Sequence, residues 1–363
     1  MASPAFSATA EDYLQSGQIK MSNDDTSEAV EDFKKAIELD PKNTTALSAY
    51  TLSNALNLSK QKKFSEAKQF IDKYISSYGE DETASRALAM YYYFMDSPEL
   101  AVKELDKVIA LTQKNEPGLR YLRGEELLKL GRNKEAVDDF NQVLELDPNN
   151  ASAYQYRGLA RAGNNEYELA KADLDIAIKM NPKAYKAYGV RGVIVQKNGK
   201  HKEAIEDFNS AIKSAEDDSI FEAVVFSSRA DSWKQLNNLD KAIDDYSRAI
   251  ELEPKKGDYY ASRGSLWQKK NAEDKAIQDY TAAVKLNPED GNSHLMLGTL
   301  LFQQNKVVAM DLLYKAGNIY AKTNRRDALL GTIEIMTRLS PKSPLIQRLY
   351  QLAYPELEDS KKI

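Results

Sequence analysis

Small and apolar residues return along this chain at helical spacing, and the spacing itself repeats. Tyr154, Gly158 and Arg161 mark one helix, Ala170, Leu174 and Ala177 the next, and the pattern predicts an amphipathic helix pair whose apolar stripes face each other. The same motif recurs at Gly124, Gly158, Gly192, Ala230, Gly264 and Gly298, at intervals of 34 residues with one of 38. Twelve residues after each stand Ala136, Ala170, Ala204, Ala242, Ala276 and Met310. A period of this length predicts stacked helical hairpins.

A glycine inside a helix costs about 1 kcal/mol against alanine, so something non-local must require it. Close approach of a neighbouring helix is the simplest requirement, with the alanines twelve residues on expected to face the glycines from the second helix of the same hairpin. Prolines close the units at Asp40-Pro41, Asp147-Pro148, Asn181-Pro182, Glu253-Pro254 and Asn287-Pro288. The residue before each proline is steered out of the helical region, so the second helix stops there.

These positions resemble the tetratricopeptide repeat. Unit 257–290 carries the whole series as Tyr260, Gly264, Trp267, Ala276, Tyr280, Ala283 and Pro288, and unit 10–43 carries Tyr13, Gly17, Ala29, Phe33, Ala36 and Pro41. Weaker copies at 48–81 and 82–115 are anchored by Ala67 and Ala101, and short insertions at 44–47 and 219–222 break the period. The resemblance implies an all-α fold: an α-α superhelix, a right-handed solenoid of about nine hairpins. Its expected organisation is a leader over 1–10, three divergent units over 10–116, six regular units over 117–324, and capping helices with a tail over 325–363. The caps, Arg325–Leu339 and Leu345–Ala353, would cover the apolar face of the final repeat. The alternative is that Leu345, Ile346, Leu349, Tyr350 and Leu352 dock on another protein or in the groove of their own array.

Composition narrows the function classes. Net charge is −5, and charged residues make up 29% of the chain with both signs interleaved. Such a mixture offers no basic stripe for nucleic acid or anionic membranes. No apolar run approaches the ~20 residues needed to span a bilayer. Cysteine is absent, which removes disulfides, thiolate catalysis and sulfur-based zinc sites. The stretch Pro4-Ala5-Phe6-Ser7-Ala8-Thr9-Ala10 ends in a small-x-small triplet like the cleavage region of a secretory signal, which favours an exported protein; a plain leader of a cytoplasmic one is the alternative.

Chemistry is sparse. Of two histidines, His201 is expected in a solvated turn and His294 in a packing position taken by Tyr154, Tyr188 or Tyr260 in other units. No nucleophile elbow, phosphate loop or metal-spaced histidine pair appears, and Glu216-Asp217-Asp218-Ser219 lacks the alternation of a calcium loop. No catalytic residue, cofactor or metal is expected. Arg123, Arg157, Arg191, Arg229 and Arg263 keep step with Asp139, Asp173, Asp207, Asp245 and Asp279 sixteen residues later. Unit nine replaces both, with Leu297 and Leu313, so the two series are expected to be structural ion pairs rather than a site for acidic ligands.

The resemblance places function on a concave groove formed by the first helices, where an extended or helical peptide or protein segment binds. Projecting that face gives Tyr121, Glu125, Leu128 and Lys129, then Gln155 and Leu159, then Lys186, Val193 and Lys197. It continues through Ser227, Asp231 and Gln235, Ser265 and Lys269, and Leu295 and Phe302. The lysine, asparagine and arginine set with which some family members hold chaperone tails has no counterpart at Tyr121, Glu125, Tyr156, Lys186 and Val190. The expected function is a non-catalytic scaffold, in a bacterial envelope or photosynthetic-membrane assembly pathway if the leader is an export signal. A cytoplasmic co-chaperone or regulatory adaptor, and a non-catalytic subunit or targeting region of an enzyme, are the alternatives.

Overall fold

The computed structural model describes residues 8–112, 116–215 and 218–354. Leader residues 1–7, Glu216-Asp217 and the tail from 355 lie outside them. The described residues form 20 helices and no strand, and fall into two compact units, Met1–Pro182 and Lys183–Ile363.

The first unit runs α1 (Ala10–Ser22), α2 (Thr26–Leu39), α3 (Thr44–Lys60), α4 (Phe64–Tyr78), α5 (Glu82–Phe94), α6 (Pro98–Leu111), α7 (Pro117–Lys129), α8 (Asn133–Leu146), α9 (Ala151–Gly163) and α10 (Tyr167–Met180). The second runs α11 (Tyr185–Lys197), α12 (His201–Ser214), α13 (Ser219–Gln235), α14 (Leu239–Leu252), α15 (Gly257–Lys269), α16 (Glu273–Leu286), α17 (Gly291–Leu301), α18 (Lys306–Lys322), α19 (Arg326–Leu339) and α20 (Pro344–Ala353). Within each unit, helices pack as consecutive hairpins, each stacked on the next. Every unit is thus a run of the α-α solenoid expected from the sequence.

Helix boundaries follow local chemistry. Thr9 and Asp12 form a capping box at α1, and Asn43, Asp81, Asn150 and Asp290 cap α3, α5, α9 and α17 through their side chains. The two insertions lengthen helices: 44–47 forms the first turn of α3 and 219–222 that of α13, giving two 17-residue first helices. Between the helices of a hairpin the chain reverses through one left-handed residue, such as Asp24, Gly131, Asn165, Gly199, Asn237 or Asn271. Asparagine and glycine tolerate that conformation at least cost. The turn between α17 and α18 has no such residue, but the turn at Asn324, between α18 and α19, does.

The glycines sit in the tight seam expected, but their partners differ from the expectation. A Cβ on Gly17, Gly124 or Gly192 would lie 2.5, 2.7 or 2.6 Å from the ring of Phe33, Phe140 or Phe208, sixteen residues on. On Gly158 it would meet Leu174 at 2.8 Å and the carbonyl of Ala170 at 3.2 Å. The alanines at +12 are fully buried, yet what forbids a side chain at the glycine is chiefly the bulky residue one turn further along the second helix. At Gly298 the partners are Leu313 and the carbonyl of Ala309, so α18 packs one residue earlier than the Met310 register predicts.

At the end of the second unit, α20 packs on α18 and α19. Ile346, Leu349 and Ala353 join a cluster with Leu313, Tyr320, Leu329, Ile333 and Met336, whereas Tyr350 and Leu352 remain exposed. Gly317 lets α20 in: a Cβ there would stand 2.6 Å from Leu349.

Candidate functional site

The most regular polar constellation is spent on packing. Arg157 donates from Nε and Nη2 to Asp173 at 2.9 and 2.7 Å, and Arg123, Arg191, Arg229 and Arg263 grip Asp139, Asp207, Asp245 and Asp279 with the same fork. The third nitrogen reaches the preceding hairpin: Asp106 from Arg123, Asn141 from Arg157, Asn209 from Arg229, Ser247 from Arg263. Each of Arg157, Arg191, Arg229 and Arg263 also lies over an aromatic ring three residues earlier, at 5.3–5.9 Å. The aspartates are 1–8% exposed, more buried than a surface pair; Asp139 and Asp173 also accept from Arg120 and Arg161, whereas Asp245 and Asp279 rely on the ladder arginine for their counter-charge.

In the first unit the projected groove residues are heavily committed. Tyr121 packs edge-on against Phe140 at 5.8 Å and Tyr156 at 5.7 Å. Burial and then the Glu125 carboxylate push the hydroxyls of both tyrosines far above the ordinary tyrosine range. Lys129 pairs with Glu126 at 2.8 Å and Asp96 at 2.9 Å, and stands over Tyr93. Leu128 packs against the α7–α9 core, and Gln155 and Leu159 are half-buried on α9.

The second unit holds its face more openly. Lys186 lies 3.8 Å from Asp218 and over Tyr185; Val193 packs on the α11–α13 core, and Lys197 is exposed. On α13, Ser227 donates to its own helix, Asp231 accepts from Tyr246 at 2.7 Å, and Gln235 is exposed. Leu295 and Phe302 pack against the α18–α20 core.

Only Ser265 and Lys269 of the projected set line the cavity between α15 and α17, which encloses about 470 Å³. Its other walls were missed: Ala261, Ser262, Gln268 and Tyr280, with Asp290, Asn292, Ser293 and Met296 opposite. A second hollow of about 420 Å³ shares Ala261, Ser262, Asp290 and Asn292, and adds Asp258, Glu289 and Arg325. The sequence projection took one stripe per first helix, whereas the cavity is built between two stripes with an aromatic from α16. Burial, with the Asp279 and Asp290 carboxylates adding to it, pushes the Tyr280 hydroxyl up to about 12.

Of the two histidines, His294 packs as expected and His201 does not lie where expected. His294 is buried, with Nδ1 2.9 Å from the Asp290 carbonyl oxygen. His201 is not a solvated turn residue; it starts α12, half-buried, with a buried Nδ1 that has no hydrogen-bond partner among the described residues. Among those residues no cluster of three or more His, Asp or Glu side chains converges as a metal site, and no helix is long and apolar enough to cross a membrane.

Stacked hairpins with a small-residue seam and a mixed inner face define a helical-repeat interaction scaffold. Sequence profiles of the tetratricopeptide repeat match residues 11–43, 228–256 and 257–290, and two more profiles of the repeat match 124–165 and 157–219; the chain belongs to the tetratricopeptide-repeat family. Over 144 residues, 34% of this chain, it is 30% identical to the mitochondrial import receptor subunit TOM70 of Homo sapiens and 31% identical to that of Rattus norvegicus. The chain spans only 23% of those relatives. Among solved structures it is similar to YrrB, described as a TPR protein with an unusual peptide-binding site, at 20% identity and a TM-score of 0.40, over 58% of this chain and 97% of that one. It is also similar to pilF of Pseudomonas aeruginosa, at 16% identity and 0.46, over 64% and 96%. The APC/C hetero-tetramer Cut9–Hcn1 matches at 15% identity and 0.46, over 97% and 78%.

Proposed function

We propose that this chain is a non-catalytic scaffold that recruits a peptide or protein segment along the inner face of its first helices. The observation that carries this reading is the contrast between two polar systems. The ladder aspartates are buried and held by their arginines, whereas the α15–α17 cavity opens onto solvent with Lys269 and the side-chain amides of Gln268 and Asn292 in its wall. A surface of that kind, concave and lined by a few convergent polar groups, is where ligands bind. The relatives' printed role, an import receptor subunit, is of the same kind.

The test is affinity capture from the source cells on the immobilised chain, compared with Lys269→Ala combined with Ser265→Glu. Lys269 is exposed and Ser265 half-buried in the open cavity wall, so the melting temperature is expected to hold while captured partners fall away. Equal capture by both proteins refutes the groove as the recognition surface.

A further inference from the structure

The α15–α17 groove carries unspent hydrogen-bond donors that its own tyrosines hold in place. Gln268 Oε1 accepts from the Tyr280 hydroxyl at 3.3 Å, and Asn292 Oδ1 accepts from the Tyr320 hydroxyl at 2.7 Å. With each side-chain oxygen so occupied, the remaining atoms are NH2 groups, which have no hydrogen-bond partner among the described residues. Ser262 is already engaged with the Tyr246 hydroxyl and Ser265 with its own helix, so the two carboxamides are the neutral donors left to a guest. Donors without acceptors select acceptors, and an extended chain supplies them regularly as main-chain carbonyls.

The groove is also charged differently at its two ends. Asp258, Glu289 and Asp290 line one end against a single cation, Arg325, which stands over the Tyr320 ring at 4.8 Å rather than in an ion pair with them. Asp258 and Glu289 have no cation within ion-pair distance among the described residues. Lys269 stands at the other end, on the last turn of α15. At 1.5 Å per residue, Asp258 and Lys269 are about 16 Å apart along the helix, the reach of about five residues of extended chain.

We infer that this groove binds an extended peptide segment of about five residues, with a lysine or arginine side chain in the Asp258–Glu289–Asp290 end and main-chain carbonyls accepting from Gln268 and Asn292. The inference rests on the groove reading above and gives it a ligand chemistry and a direction: Lys269 disfavours a second basic residue at the far end. An acidic segment drawn to Lys269 and Arg325 is the rival occupant, and the charge count at the carboxylate end argues against it.

The test uses the full chain with 13C-methyl methionine, because Met296 lies in the cavity wall and reports its occupancy directly. The probes are amide-capped pentapeptides of alanine and serine with one arginine, glutamine or glutamate. The Met296 resonance, assigned through Met296→Leu, is expected to shift saturably with the arginine peptide, which binds about tenfold tighter than the glutamate peptide. Asp258→Asn with Glu289→Gln should erase that preference. Gln268→Leu with Asn292→Leu should weaken the arginine and glutamine peptides by about tenfold. If the double leucine variant melts early, Gln268→Glu, which keeps the acceptor for Tyr280 but lacks the NH2, reads the same contact with the glutamine peptide.

A Met296 signal that stays silent with every peptide, prefers glutamate, or ignores the amide variants overturns the inference. The wider groove reading falls by a different result, the unchanged partner capture described above.

Discussion

At the scale of single residues, the repeated glycines are not equivalent, and their neighbours say which ones the fold needs. A Cβ on Gly192 meets the fully buried Phe208 ring at 2.6 Å, whereas on Gly264 its nearest contacts, Asp279 and Tyr280, stand at 3.3 Å. Overpacking costs about 1–3 kcal/mol, and replacing a helical glycine by alanine returns about 1 kcal/mol of propensity. Gly192→Ala is therefore expected to lower the thermal midpoint, while Gly264→Ala leaves it nearly unchanged; chemical denaturation of both variants checks the order. Gly264→Leu, whose extra carbons must enter the Tyr280 ring, is expected to destabilise. The sequence showed that small residues were needed but not against what, because the +16 partner varies between phenylalanine, tyrosine and leucine while the +12 position is alanine in every unit of the series but the one with Met310.

Tyr280 gives a second residue-scale prediction. Its hydroxyl is raised to about 12 by burial and by the Asp279 and Asp290 carboxylates, and that of Tyr259 to about 12 by burial and its hydrogen bond to Glu253. A group whose folded value is raised contributes stability that is complete below its unfolded value, about 10, and is lost as pH rises through the folded value. Spectrophotometric titration at 295 nm should show these tyrosines ionising later than exposed ones, and Tyr280→Phe should reduce the loss of stability between about pH 10 and 12. An ordinary titration of every tyrosine contradicts the packing described.

At the scale of the helix pair, the arginine–aspartate fork joins the two helices of a hairpin and, through the third nitrogen, the hairpin before it. Arg263→Leu alone leaves Asp279, 5% exposed, without its counter-charge and should cost about 3 kcal/mol. Arg263→Leu with Asp279→Leu should recover most of the loss, because the next hairpin, packed one residue earlier than its sequence register, carries the buried pair Leu297 and Leu312 at these sites rather than Leu297 and Leu313. Denaturant unfolding of the single and double variants checks this; additive losses would show that the pair is not one unit. This pairing was legible from its joint replacement in the sequence. The reach into the neighbouring hairpin was not, since its acceptors Asp106, Asn141, Asn209 and Ser247 vary between three residue types. Helix ends were legible where proline or a capping side chain marks them, but the insertions showed only as breaks in the period, since their length does not distinguish an added helical turn from a longer connection.

At the scale of the whole molecule, the array and its repeat class could be read directly, because many agreeing positions recur in register. The candidate site was legible only in part. The projected stripe includes Ser265 and Lys269, which line the cavity, but it leaves out Gln268 and Asn292, whose placement arises from tyrosines on neighbouring helices rather than from their own positions in a stripe. The central claim is that recognition occurs on the face of the first helices and not on the exposed face of the second. The most direct measurement is site-specific photo-crosslinking in source-cell extract from a benzoylphenylalanine placed at Ser265, beside the cavity, or at Glu251, exposed on α14. A discrete partner crosslinked from Ser265 and absent from Glu251 is the predicted result; the same partner captured from Glu251 alone would contradict the account.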